Sequence, residues 1–545
     1  MANPSVTEVP GSAGSRQVAW YRQLNGYHWL VLVVATMAWA FDCLSQQIFN
    51  LTRTPAMDLL TDSPASSDFC GPLSTTALLV GWATGGIIFG ILGDRIGRAK
   101  TLTIMIVCYS VSTGLCGLSV GVWDYIAYCF ITGIGAGGIF PIACTLVAES
   151  LPENTRPQAL GMVQTFSALG NIGAGFISLG MVALLSHGVI ATYWRWMFSV
   201  GIVPSLLAIL VAKRLREPEM WKVAVAQGKV KKAGVRELFS DPRWRKNAIV
   251  GLLLATSGVV GLWGIGVFSN DLTQRFTGGK YDAEQRKAGQ AEQDRQFVAL
   301  VAASPENFTL AKQSKIKPRQ LLLVDPGDKD TQRVYRAVLE GKPLAAAEAA
   351  ALTGFRPISG ASVTQHIGRI KARQLDRDLH VLPLAALTLI MFNVGAFFGM
   401  YAFARVTNKI GRRPTFAIFF LIAMVTTALA FEFMETFPRD LWMVVLMGGA
   451  QLSVFGGYAI YFPELFPTRL RSTGTSFCYN VGRYIAAAGP FTMGLLTTSV
   501  FANASPGADP SLPARHAGVA MCACFLLGLV ALFFAPETKG QPLPE

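Results

Sequence analysis

Long apolar runs alternate with short polar turns along nearly the whole chain, and the runs share one length. About 20 consecutive apolar residues are what an α-helix needs to cross a bilayer, where every backbone polar group must find its partner inside the segment. Twelve such runs are legible, at 28–51, 73–92, 101–120, 123–147, 158–184, 194–212, 247–270, 380–403, 415–433, 441–461, 472–498 and 515–535, numbered here as spans 1 to 12. They predict an all-α membrane protein of twelve transmembrane helices.

The turn GDRIGRAKTL, Gly93 to Leu102, follows span 2 and must face water, because each of its charged side chains would cost roughly 2.5 to 3.5 kcal/mol in hydrocarbon. Gly93 and Gly97 let the chain reverse there. The stretch returns after span 8 as NKIGRRPTF, Asn408 to Phe416. Glu149 to Arg156 returns as Glu464 to Arg471, and Pro218-Glu219 as Pro536-Glu537, each about 315 residues on. Three matches at one spacing indicate a duplicated chain, two pseudo-symmetric six-helix bundles with a solute site between them. The division expected is a tail 1–27, a bundle 28–212, a basic linker 213–246, a bundle 247–535 and a tail 536–545.

The second half departs from its copy in one place. Some 110 polar residues, 271–379, separate spans 7 and 8 where spans 1 and 2 are only about 20 apart, so a large extracytoplasmic insert is expected. Segments 283–302 and 333–351 read as helices, VDPGDKD and FRPISGAS as turns, and the whole as a small folded cap.

Composition agrees: 545 residues are 52% hydrophobic and only 15% charged. The net charge of +14 invites a nucleic-acid reading, but Lys and Arg crowd the turns assigned to one side, as in Arg95, Arg98, Arg156, the block Lys213 to Lys246 and Arg405 to Arg413. That is the positive-inside pattern of a multi-pass plasma or inner membrane protein with both termini cytoplasmic. Residues 2–27 lack a signal-peptide pattern. The nine cysteines lie mostly in apolar runs, without metal-ligand spacing or a disulfide framework.

Polar groups inside the apolar runs carry the candidate chemistry. Span 1 holds Asp42 about midway, with Ser45, Gln46 and Gln47 within a turn; a buried carboxyl is cheaper neutral than charged, which suits proton binding. Pairing with a fixed arginine is the alternative. The glycine-rich stretches GIGAGGIFP in span 4 and ALGNIGAG in span 5 read as close helix packing, since no strand precedes them as a nucleotide fingerprint would require. Gln164 and Asn171 share a face of span 5 and offer hydrogen bonds to a solute or to a neighbouring helix. Span 11 places Arg483 about three turns in, with Asn480 one turn before it; such an arginine needs a carboxylate, a carbonyl, an anionic solute, or a path to the inner interface. Glu432 and Glu435 close span 9 near the outer surface and read as solvated.

At these residues the chain resembles the major facilitator superfamily, and within it the sugar-porter and metabolite/proton symporter branches. The motifs are GDRIGRAKTL and NKIGRRP, the turns ESLPENTR and PELFPTRLR, WRWMF at span 6 and the terminal PETKGQPLPE, which together cover both halves. The resemblance implies two bundles rocking about a central site. It also implies a cytoplasmic charge network of Asp94, Arg95, Arg98, Glu149, Arg156, Arg412, Glu464 and Arg471 that latches the outward-facing state. Sugar porters carry an arginine where this chain has Cys129, and a Gln-Gln-x-Ser-Gly-x-Asn signature absent from its span 7, although Gln164 matches a glutamine they place on the sugar. Organic-acid symporters share the span-1 aspartate and the Gly482-Arg483 pair, with Ser45 where they have a second acid.

The expected function is proton-coupled secondary transport of a small hydrophilic metabolite, an organic acid ahead of a sugar. Asp42 would take the proton, and Gln46, Gln164, Asn171, Asn480 and Arg483 would bind the solute. The expected partners are solute, proton and bilayer, with a monomeric chain and no nucleic acid, cofactor or metal. A nutrient sensor on the same fold is the alternative. An enzyme is disfavoured, because no nucleophile, base or metal set clusters in the sequence.

Overall fold

In a computed structural model of the chain the apolar runs are helices. The structure describes residues 20–61, 64–152, 155–190, 192–226, 235–303, 305–314, 316, 321, 362–434, 439–467, 470–501, 512–541 and 544, and no strand forms among them. Among the described residues, eleven helices are long and apolar enough to cross a membrane. Span 11 is carried differently: Arg471–Ala486 stops short of Gly489-Pro490, where proline supplies no N–H to continue the ladder, and the chain resumes as Gly489–Leu495 and a π turn.

Small residues set the distances between spans. A methyl group at Gly133 or Gly137 of span 4 would overlap the carbonyls of Leu78 or Trp82 in span 2, and one at Gly170 of span 5 would overlap the carbonyl of Ala40 in span 1. The glycine stretches are therefore packing surfaces, as expected, and they bring Asp42, Trp82 and Gln164 to one side of the first bundle.

The charged turn is tighter than expected. Gly93 stays inside the helix Pro64–Ile96, and Gly97 alone reverses the chain, at φ 110°, before Arg98–Gly117 begins. Gly411 does the same at φ 99° between spans 8 and 9. Residues with a Cβ avoid this region.

Spans 7 and 8 run well beyond their predicted ends. Span 7 is Pro242–Val259, a π turn Val260–Gly266, and then Val267–Lys287. Span 8 is one helix of 48 residues, Val363–Ile410, so the expected boundary at Leu379 falls inside it. At 1.5 Å per residue this is roughly 72 Å, more than twice the hydrocarbon thickness. The part of it that precedes the apolar run binds the insert: Arg373 binds Asp294 through two hydrogen bonds of 2.8 and 3.1 Å, and Arg377 binds Asp282 at 3.0 Å. Phe297, Val298 and Val301 of Gln290–Ala303 bury against Val363 and Ile370 in a small core of their own. The predicted helix 333–351, VDPGDKD, FRPISGAS up to Ala361, and Glu435 lie outside the described residues; Glu432 is exposed, as expected.

Candidate functional site

The two halves enclose a cavity of about 80 Å³, room for several waters. Spans 1, 2 and 5 contribute Trp39, Gln46, Trp82, Gln164 and Asn171 to its wall; spans 7, 8, 10 and 11 contribute Trp263, Phe392, Phe455, Tyr479 and Arg483. The π turn of span 7 lies in this wall, and the Trp263 ring meets Trp82 edge to face, with centroids 5.5 Å apart. The result is one cation in an aromatic chamber.

Arg483 is only 1% exposed. Its guanidinium lies 3.8 Å from the Trp82 ring centroid and 4.3 Å from that of Tyr479, so an aromatic ring from each half holds it. It donates to the Asn480 side-chain oxygen, and its Nε has no acceptor among the described residues. Asp42, equally buried, is within electrostatic reach of Arg483 and accepts a 2.8 Å hydrogen bond from Gln46 Nε2. Gln164 accepts from Trp39 Nε1 at 3.0 Å, and Asn171 Nδ2 donates to Asn393 Oδ1 of span 8 at 2.6 Å, joining the halves.

Four of the five expected solute residues, Gln46, Gln164, Asn171 and Arg483, line the cavity; Asn480 supports Arg483 instead of lining it. Asp42 faces a second, smaller cavity inside the first bundle. The aromatic wall was missed by sequence reasoning, because an aromatic in an apolar run carries no sign of whether it faces lipid, core or cavity.

At the end carrying the linker and the described part of the terminal tail, Arg98 binds Asp94 at 3.1 Å and Glu149 at 3.0 Å, and Arg412 binds Glu464 at 2.8 Å. Asp94 also accepts from the amide and hydroxyl of Thr473, which starts span 11 in the other half, at 3.2 and 2.7 Å. Arg471 is fully buried, donates to the Pro463 carbonyl at 3.3 Å and lies in the field of Glu149; Arg156 donates to the Leu151 carbonyl at 3.0 Å. Arg95 is exposed and joins no ion pair among the described residues, so it stands apart from the expected network.

Two glutamates complete the arrangement. Glu217 accepts from the backbone N–H groups of Arg98, Ala99 and Lys100, and Glu537 from those of Arg412 and Arg413, so each caps the first turn of the helix after the charged turn. The true counterpart of Glu537 is therefore Glu217, before Pro218; Glu219, matched to it by the Pro-Glu repeat, is exposed and among the described residues pairs with Lys222. The tail 536–539 is part of the bundle end, its Thr538 hydroxyl donating to Glu464 at 2.5 Å.

A family model described as "Sugar (and other) transporter" matches residues 23–248. The proton:xylose symporter XylE of E. coli superposes with a TM-score of 0.56 at 16% identity, over 95% of this chain and 98% of its own, which shows the shared fold. Over its first half the chain is thus similar to sugar and other transporters, and over nearly its whole length it has the fold of that symporter. The chain is similar along nearly its full length to two bacterial proteins. One is a putative metabolite transport protein of Haemophilus influenzae, 24% identical over 96% of this chain and 99% of its own. The other is a probable 4-methylmuconolactone transporter of Cupriavidus pinatubonensis, 22% identical over 96% and 94%.

Proposed function

We propose that this protein is a facilitator that carries a small organic anion with a flat, unsaturated body, together with a proton, by alternating access. The observation that carries the reading is Arg483, buried in the cavity wall between the rings of Trp82 and Tyr479. A guanidinium offers a planar fork for a carboxylate, and the surrounding rings offer faces to a flat body. Gln164 and Asn171, the groups best suited to a sugar hydroxyl, are already engaged with Trp39 and Asn393. The relative named for 4-methylmuconolactone, itself an unsaturated acid, points the same way.

The cycle follows from charge balance. With Asp42 ionised, Arg483 has its counter-charge across the interface of the halves; protonation of Asp42 leaves the guanidinium to be balanced by the solute anion. Solute and proton then cross together, and Asp42 releases its proton where the solute leaves. The latched end is the cytoplasmic one by the positive-inside rule, so this conformation is closed to the cytoplasm.

The test is uptake into proteoliposomes under an imposed pH gradient, with benzoate, nicotinate, 4-methylmuconolactone and xylose offered in turn. Concentrative uptake of a carboxylate that Asp42→Asn abolishes, while counterflow exchange survives, is the expected result. Uptake of xylose alone would overturn the anion reading, and undiminished uphill uptake by the variant would overturn the proton role.

A further inference from the structure

Asp42 is the proposed proton site, yet it does not line the solute cavity. It borders a separate chamber of about 20 Å³ inside the first bundle, room for one water, walled by Thr113, Cys116, Cys129 and Thr132. Gln46 borders both chambers: one helical turn beyond Asp42 on the same face, it gives its Nε2 to Asp42 Oδ2 at 2.8 Å and also stands in the solute cavity wall beside Trp82.

We propose that Gln46 is a two-position amide relay, which reads the protonation of Asp42 and presents the result to the solute. An ionised carboxylate only accepts hydrogen bonds, so it holds the amide by its NH2 and leaves the carbonyl for the solute side, where a second anion is repelled. A protonated carboxyl donates its O–H. The amide turns over to accept it through Oε1 and presents NH2 to the cavity, adding a donor beside Arg483 when the anion must bind. The proton comes from water and rests on a carboxyl oxygen; no other bond is made or broken.

The groups facing Asp42 leave this as the economical coupling. On its own helix stands Cys43, on span 3 Tyr109 and Cys116, on span 4 Cys129, and on span 11 Tyr479 and Arg483. Only Arg483 carries charge near neutral pH. It acts through space and answers to any change of charge nearby, whereas Gln46 makes the contact itself. Gln46 is thus a positioning residue for the proton and a donor for the solute.

The inference rests on the proposed proton role of Asp42 and is tested so that the two fail separately. Infrared difference spectra of the full-length purified protein, taken between high and low pH without ligand, are compared for wild type, Asp42→Asn and Gln46→Leu. A protonated-carboxyl band that rises with acid and is absent from Asp42→Asn is expected, and a glutamine amide band that shifts in step with it and is absent from Gln46→Leu. The carboxyl band without the amide shift would overturn the relay while sparing the proton site. Absence of the carboxyl band would overturn both. Nicotinate binding gives the functional readout: its affinity in wild type should change by up to about tenfold per pH unit, the limit for one linked proton. In Gln46→Leu the slope should flatten and in Gln46→Glu change form; a slope unaltered in Gln46→Leu would overturn the relay.

Discussion

The Asp94 carboxylate accepts from both the backbone N–H and the hydroxyl of Thr473, 379 residues away and in the opposite half of the molecule. A carboxylate at the first turn of span 11 also meets the positive end of that helix. It is a bond between the two halves, and on the proposed alternating-access cycle it breaks when this end opens. Its loss should therefore act on conformation before stability.

Asp94→Ala removes two charge-assisted hydrogen bonds, each worth about 1.5 to 3 kcal/mol. The ratio of latched to open molecules should fall about tenfold or more. Distances between spin labels on the two halves would show it. Thr473→Val, which keeps the backbone bond, should give a smaller shift in the same direction.

Arg483 is held by ring faces as well as by charge. Arg483→Lys keeps the charge and loses the planar stack between Trp82 and Tyr479, so binding of a carboxylate such as nicotinate should weaken about tenfold or more. Arg483→Gln should abolish it. Titration calorimetry on the purified protein would measure both.

Glu537 supplies a pH dependence outside the membrane. Burial raises its pKa, but the backbone amides of Arg412, Arg413 and Lys539 and the charge of Arg412 together hold its carboxyl below the usual glutamate range. A group depressed in the folded state contributes stability above its unfolded value, about 4.3, and loses it as pH falls through the folded one. The melting temperature of the wild type should therefore drop more steeply below about pH 4.3 than that of Glu537→Gln.

Gly170 fixes the approach of spans 1 and 5. Gly170→Leu would drive a side chain into the Ala40 carbonyl, at a cost of about 1 to 3 kcal/mol, and should lower both melting temperature and uptake. Gly180, on the same span, has nothing within 4 Å of an added Cβ. Gly180→Ala should be neutral or stabilise by up to about 1 kcal/mol.

The sequence read the pieces that a single segment must solve for itself. Bilayer thickness imposes one length on every span, and a charged turn cannot enter hydrocarbon, so spans, turns and the duplication were visible without coordinates. Span 11 was found by this reasoning even though it runs as a broken helix. The end of the insert was misjudged at Leu379 because polar residues mark where the hydrocarbon ends and not where a helix ends; the helix of span 8 already begins at Val363.

Sequence alone determined that this is a doubled bundle of membrane helices with Asp42 and Arg483 inside apolar runs of opposite halves, because hydrophobic burial and charge exclusion act segment by segment; that Arg483 is buried and does not reach the interface is read from the structure. Which side chains meet was decided only by the tertiary structure. Trp82 against Arg483, Asn171 on Asn393 and Gln46 between two chambers each depend on helix rotation, set by the glycine contacts between neighbours, and Glu217 rather than Glu219 on the span-3 N-terminus depends on the path of the chain between two helices. Rotation is shared between segments far apart in the chain, and no local pattern records it.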